Sequence, residues 1–239
     1  MSIDRPTWLP GTPDIRTAFA EEIESLSGRV THTYDDGKRL FARAALPPTV
    51  EIHPGDHVRG GVAVHAGGSC IEVYPYTFRL ICSNGAIAAQ ALEGKRLERV
   101  RGTEVVAPSY DVAVVLSELR VAVCACASPT AFASTTRQMR TATEIAADVA
   151  LNLMPLLSSL PPAMAQRWLP SILRRFSRGG DGSVFGMMNA VTAVARDVRD
   201  EETRWRLEAL GGSIPARLQP KPKVILPAMA RAATAAARR

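Results

Sequence analysis

Aromatic residues make up only 5% of this 239-residue chain, and histidine and cysteine occur four times each. So few aromatics argue against an extended platform for stacking nucleobases. All four histidines, His32, His53, His57 and His65, lie in the first third. His53 and His57 are separated by Pro54-Gly55, which no helix accommodates, so a helical metal-binding pair is excluded. His53, Asp56 and His57 could still meet at a strand turn as metal ligands, but solvated loop residues are the simpler reading. Cys124 and Cys126 form a C-x-C pair with no adjacent histidine and no second C-x-x-C, and their apolar surroundings predict buried, reduced thiols. No Gly-x-Ser-x-Gly, no phosphate-binding Gly-x-x-x-x-Gly-Lys and no dinucleotide fingerprint occurs. No metal, cofactor or catalytic set is therefore expected.

Long apolar runs are also missing. The first thirty residues carry Asp4, Asp14, Glu21 and Glu22 without a continuous apolar stretch, so no secretory signal is expected. The longest apolar candidate, 112–127, contains Glu118 and Arg120 and falls short of the ~18 residues of a spanning helix. It reads as a buried element. The expectation is a cytoplasmic protein with no membrane partner.

What is present is enough apolar residue, 46%, for one substantial core. The formal net charge is +6, and its location is informative. Arg217, Lys221, Lys223, Arg231, Arg238 and Arg239 are the charged residues from 217 onward, so they carry the whole excess and residues 1–216 are formally neutral. A basic tail on a neutral body points to a polyanionic partner.

Pattern along the chain predicts an α+β fold, with an N-terminal antiparallel sheet region packed with a mainly helical C-terminal half. Its parts are an extended arm (1–13), a single α+β domain (14–214) and a flexible basic Pro/Ala-rich tail (215–239). Asp14 can cap a helix with Ile15, Phe19, Ile23 and Leu26 on one face, ended by Gly28. Asp35-Asp36-Gly37 predicts a hairpin between 30–34 and 39–45, with Leu40, Ala42 and Ala44 alternating with larger or more polar residues. Pro54-Gly55-Asp56 and Gly67-Gly68 predict two further turns between strands. Pro75 predicts that the strand from Cys70 stops, leaving 76–92 as a helix or hinge, with Asn84-Gly85 marking a change of direction. A further strand is expected over 97–106. Beyond Ser109 helices dominate: 112–127, with a strand as the alternative, a long region 130–160, a segment 163–176 broken by Pro170, and a last helix from Ser183 to Leu210 closed by Gly211-Gly212.

Two segments share a family pattern. Glu72-Val73-Tyr74-Pro75-Tyr76-Thr77-Phe78-Arg79-Leu80-Ile81-Cys82-Ser83-Asn84-Gly85 carries an apolar stretch leading to Arg, two apolar residues, Cys, a small polar residue and Asn-Gly. About a hundred residues later comes Phe185-Gly186-Met187-Met188-Asn189-Ala190-Val191-Thr192. In order and separation this resembles the phage/plasmid-like proteins of the domain-of-unknown-function 932 family, over roughly residues 51–211. Family members continue with an acid, an aromatic and later a histidine where this chain has Ala193, Val194 and Ala195 before Arg196, so no role resting on those groups carries over. The resemblance implies a mobile-element protein, and hence replication or recombination work on nucleic acid.

The motif polar residues Arg79, Cys82, Asn84, Gly85, Asn189 and Thr192 are candidate site residues, with Arg79 on phosphate and an asparagine on a ligand. Their bland alternative is internal satisfaction: an ion pair for Arg79, a turn for Asn84, packing for Cys82 and a core hydrogen bond for Asn189. Two basic clusters are candidate nucleic-acid contacts. Lys95, Arg96, Arg99 and Arg101 sit among Glu93, Glu98 and Glu104. Arg167, Arg174, Arg175 and Arg178 interleave with Trp168 and Phe176, and no acid occurs between Asp148 and Asp181. The loop 178–183 before a helix could cradle an anion, although a plain loop and cap is commoner. The expectation is an accessory of a mobile element that binds nucleic acid through its backbone, as an oligomeric single-stranded DNA binder or annealing protein. A protein-interaction module and an enzyme with a site near Arg79, Asn84 and Asn189 are the alternatives.

Overall fold

The computed structural model describes residues 10–68, 70–80, 84–88, 94–98 and 111–217. The chain enters through α1 (Thr12–Ser25), whose start lies before Asp14. Gly11 is the N-cap, and Asp14, three residues in, accepts its backbone N–H at 3.2 Å. Helix α1 ends before Gly28. Ser27 takes the left-handed conformation (φ 57°), its N–H bonding Glu24 and that of Gly28 bonding Ile23, the paired arrangement of a Schellman end.

An antiparallel meander follows: β1 (Arg29–Asp35), β2 (Leu40–His53), β3 (Asp56–Gly67) and β4 (Cys70–Arg79), each paired with the next. The turns at Gly37, Gly55 and Gly68 fall where the glycine dipeptides and Asp-Gly signals put them. β2 is longer than expected, because its register with β3 shifts between Ala45 and Thr49 and so absorbs Pro47 and Pro48 in a bulge.

Strand β4 runs straight through Pro75, contrary to the break read there. The carbonyl of Pro75 faces the edge of β4 away from β3, where it accepts the Ala88 N–H. Its missing donor faces the same way, between β5 (Asn84–Ile87), paired with Tyr76 to Arg79, and β6 (Lys95–Glu98), paired with Cys70 to Val73. No ladder bond with β3 is lost. Asn84 and Gly85 begin β5, so the reversal falls before them. Gly85 lacks a side chain because the Tyr76 hydroxyl occupies that space, 1.6 Å from where a Cβ would stand. Residues 81–83 and 99–110, with Cys82, Arg99, Arg101 and most of the strand expected over 97–106, lie outside the described residues, as do 1–9 and 218–239.

Both faces of the sheet are covered. Leu40, Ala42, Ala44, Val62, Val64, Ala66, Ile71 and Val73 pack against α1 and against α2 (Val112–Ala127). This is the period-two face read in Leu40, Ala42 and Ala44. The opposite face presents Phe41, Ala63 and Tyr76 to Trp205. In α2, Val115, Leu119, Ala122 and Val123 are buried, and of the cysteine pair only Cys126 is. Cys124 is exposed, contrary to expectation, and its thiol lies 2.9 Å from the Glu22 carboxylate.

The helical half is more divided than its apolar pattern implies. α3 (Pro129–Thr143) stops because Ala146 bridges to Ser183, with Ala147 donating to Gly182 and Val184 to Ile145. Asp148 then caps one π-helical turn (Val149–Leu153) leading into α4 (Met154–Leu157). α5 (Pro162–Arg178) continues past Pro170, which is exposed together with Gln166, so water can satisfy the carbonyl that proline leaves unbonded. The last helix is two helices, α6 (Val184–Arg196) and α7 (Glu201–Ala216), the latter capped by Asp200. Gly211 and Gly212 lie inside α7 rather than ending it. A Cβ at Gly212 would stand 2.1 Å from the Ile87 carbonyl oxygen, so this glycine permits backbone contact between α7 and β5. Pro215 is buried in the last turn of α7. Among the described residues no single helix is long and apolar enough to cross a membrane.

Candidate functional site

The two motif segments, a hundred residues apart in sequence, meet in space. Arg79 ends β4, and its guanidinium lies 5.8 Å from the ring centroid of Phe185 at the start of α6. Asp56, at the start of β3 and 7% exposed, grips Arg79: Nε stands 2.8 Å from both carboxylate oxygens and a terminal nitrogen 2.5 Å from one. Asp56 is thereby committed to an ion pair, while His53 and His57 are exposed. No group of three potential metal ligands occurs among the described residues.

Beside Arg79, α5 and α6 flank an open cleft of about 630 Å³. On the α5 side stand Trp168, Ser171, Arg174, Arg175 and Arg178, at spacings that return to one helical face. The α6 side presents Gly186, Asn189, Ala190 and Ala193, with Arg196 and Asp197 at its end. Five arginines and two aspartates thus line one concavity. Both aspartates are engaged. Asp197 pairs with Arg175 across the cleft and with Arg196, and Asp181 accepts the Ser183 N–H at 2.9 Å. Arg174 and Arg178 are exposed and have no acidic partner among the described residues. As like charges at i and i+4 they cost a few tenths of a kcal/mol, partly offset at the C-terminal end of a helix.

Asn189 is only 9% exposed, yet its side-chain oxygen has no hydrogen-bond partner. The core hydrogen bond that would have been its bland explanation is absent. An orphaned buried acceptor costs about 1–3 kcal/mol. The other motif residues have packing roles. Gly186 leaves room for the Asp181 carbonyl, 2.0 Å from where a Cβ would be. Buried Thr192 donates back to Met188 at 3.1 Å and turns its methyl toward Gly211.

The remaining candidates fall elsewhere. Arg167 is exposed and stacks on Trp168, 4.9 Å from its ring, without lining the cleft. Lys95 and Arg96 lie on β6, at the opposite end of β4 from Arg79, six or more residues away and so about 20 Å along the strand. Arg96 is held by Glu72 at 2.9 Å. At the start of α6 the N–H groups of Ser183, Val184 and Gly186 are already taken, by Asp181, the Ile145 carbonyl and the Ser183 hydroxyl, which leaves little of an anion cradle. For Asn84 only the backbone is described.

A second polar cluster was not anticipated from the sequence. Arg43 on β2, 1% exposed, sits between Glu208 at 2.7 Å and Glu201 at 3.0 Å on α7. Arg204 reaches Glu208 at 3.1 Å, and His32 reaches Glu201 at 3.0 Å. Burial pushes the Glu201 carboxyl up, but the hydrogen bond from His32 and the charge of Arg43 more than offset it, holding it down at about 2. The cluster lies away from the cleft and fastens α7 to the sheet. No sequence signal marks it, because Arg43 alternates onto the strand face opposite Leu40, Ala42 and Ala44, which reads as solvent-facing.

Comparison of the chain with profiles of known families, with curated proteins and with solved structures finds no match.

Proposed function

We propose that the cleft between α5 and α6 binds the phosphate backbone of nucleic acid, and that the protein is a single-stranded DNA binder or annealing accessory of a mobile element, working as an oligomer. The observation that carries this reading is the convergence of five arginines on one open cleft, of which Arg79 is paired with Asp56 and Arg175 and Arg196 with Asp197, while Arg174 and Arg178 have no acidic partner among the described residues. Guanidinium groups match phosphate oxygens in pairs, and an open groove admits a continuous strand. The resemblance of the two motif segments to phage/plasmid-like proteins supports the same setting.

The test is the salt dependence of single-stranded DNA binding. Removing two phosphate contacts lowers the log–log slope by about 1.4 for a single strand. The Arg174→Ala/Arg178→Ala double variant should show that reduction while melting at the same temperature as the parent. A full-length variant with Lys221, Lys223, Arg231, Arg238 and Arg239 changed to Ala should keep the cleft's share of binding. Loss of binding in the tail variant, with none in the cleft variant, would overturn the assignment.

A further inference from the structure

We infer that the cleft takes in a nucleobase as well as contacting phosphates, with Asn189 as the residue that hydrogen-bonds the base edge. This rests on the nucleic-acid reading above and adds to it what the strand must present. A groove that only follows a phosphate backbone needs cations and little depth. This cleft is also lined by Asn189, a nine-tenths buried amide whose oxygen is sealed from solvent without a partner and meets a ligand only when the amide turns over. Its volume of about 630 Å³ lies within the roughly 300–1,000 Å³ of sites that enclose small molecules.

The chemistry around Asn189 suits a base better than a phosphate. A phosphate offers acceptors alone and could use only the amide N–H groups, whereas every base carries an N–H donor beside an acceptor on its pairing edge, which an amide can match with both of its ends. The side-chain amide rotates freely enough about its last torsion to bring either end forward. Small residues Ala190 and Ala193 line the cleft beside Asn189, and Trp168 contributes an apolar ring from α5. Arg174 and Arg178, exposed on the α5 side of the same cleft, would meet the phosphates flanking an inserted base. In a duplex the same base edge is paired and stacked, so entry requires a single strand or an extruded nucleotide.

The experiment compares, by fluorescence anisotropy, a labelled mixed-sequence oligodeoxynucleotide with an equally long oligomer of tetrahydrofuran abasic spacers, which has the same charge and no bases. The full chain should bind the base-bearing strand about tenfold more tightly, the worth of roughly one satisfied buried hydrogen bond. Asn189→Ala should reduce that ratio to near one without changing affinity for the abasic strand. Ala193→Leu, which fills the cleft and leaves Asn189 in place, should also lower that ratio. Equal binding of both strands by the parent protein would overturn the inference and leave backbone capture standing, as would an unchanged ratio in two folded variants. Failure to bind either strand at low salt would overturn the nucleic-acid reading itself.

Discussion

Replacing Glu208 by Gln changes one charge and almost no volume, and it should be among the most damaging conservative substitutions in the chain. Arg43 and Glu208 are each 1% exposed and 2.7 Å apart, so neither charge can recover hydration if the other is lost. Removing one partner of such a pair costs about 3–5 kcal/mol, because the remaining charge stays buried without compensation. Here Glu201 remains 3.0 Å from Arg43, and Arg204 loses its own contact at 3.1 Å. The first effect reduces the loss and the second adds to it, so the expected cost is about 3 kcal/mol. At about 2–4 °C per kcal/mol for a chain of this size, the melting temperature should fall by about 6–12 °C. Thermal and urea denaturation followed by circular dichroism give the shift, with Glu202→Gln as control. Glu202 makes an exposed i,i+4 pair with Arg206 at 2.8 Å, worth about 0.3–0.5 kcal/mol. If the two variants lose similar stability, the buried pair is not fastening α7 to the sheet.

Other perturbations test separate parts of the structure. Gly212→Ala forces a methyl to within 2.1 Å of a backbone oxygen that cannot swing away; it should destabilise by about 3 kcal/mol or prevent α7 from docking, read by the same denaturation curves. The depressed Glu201 carboxyl contributes stability that is complete above its unfolded value near 4.5 and lost as pH falls toward about 2; urea midpoints over that interval should drop more steeply in the parent than in Glu201→Gln. Cys124 is exposed, but its hydrogen bond to Glu22, then burial, push the thiol up to about 11, so iodoacetamide should modify it slowly at neutral pH and at least tenfold faster in Glu22→Gln.

Local signals survived into the structure wherever neighbouring residues decide the outcome. The hairpins at Gly37, Gly55 and Gly68, the inward face of Leu40, Ala42 and Ala44, and the Ser183 cap follow from side-chain alternation and turn chemistry. The structure departs from the local pattern where distant contacts decide. Pro75 can sit inside β4 because two separate strands share that edge, and a pairing geometry of that kind leaves no local mark. The Gly211-Gly212 pair looked like a helix end, whereas its cause is Ile87, more than a hundred residues upstream. The same applies to the site: Arg79, Asn189 and the α5 arginines were each visible, but their convergence required the fold, and the Asp56 and Arg43 ion pairs had no readable partner in sequence.

The spacing of Phe185, Gly186, Asn189 and Thr192 can be explained by two simultaneous demands on one helix. α6 must seat against α7, which Thr192 does at Gly211, and must rest on the sheet's end, which Phe185 does under Arg79. With those contacts made, the remaining face at Gly186, Asn189 and Ala190 is turned toward α5 and lined with small side chains. The cleft therefore depends on a chain of contacts: Arg43 holds α7, α7 holds α6, and α6 presents Asn189 opposite the arginines. If the cleft binds single-stranded DNA as proposed, variants in the Arg43 cluster should weaken binding only in proportion to the unfolded fraction, whereas Asn189 and Arg174 variants should weaken it while fully folded. Binding measured alongside melting curves separates these cases. A Glu208→Gln protein that stays folded at the assay temperature yet no longer binds would show that the cluster acts on the cleft by shifting α7, and not merely by stabilising the fold.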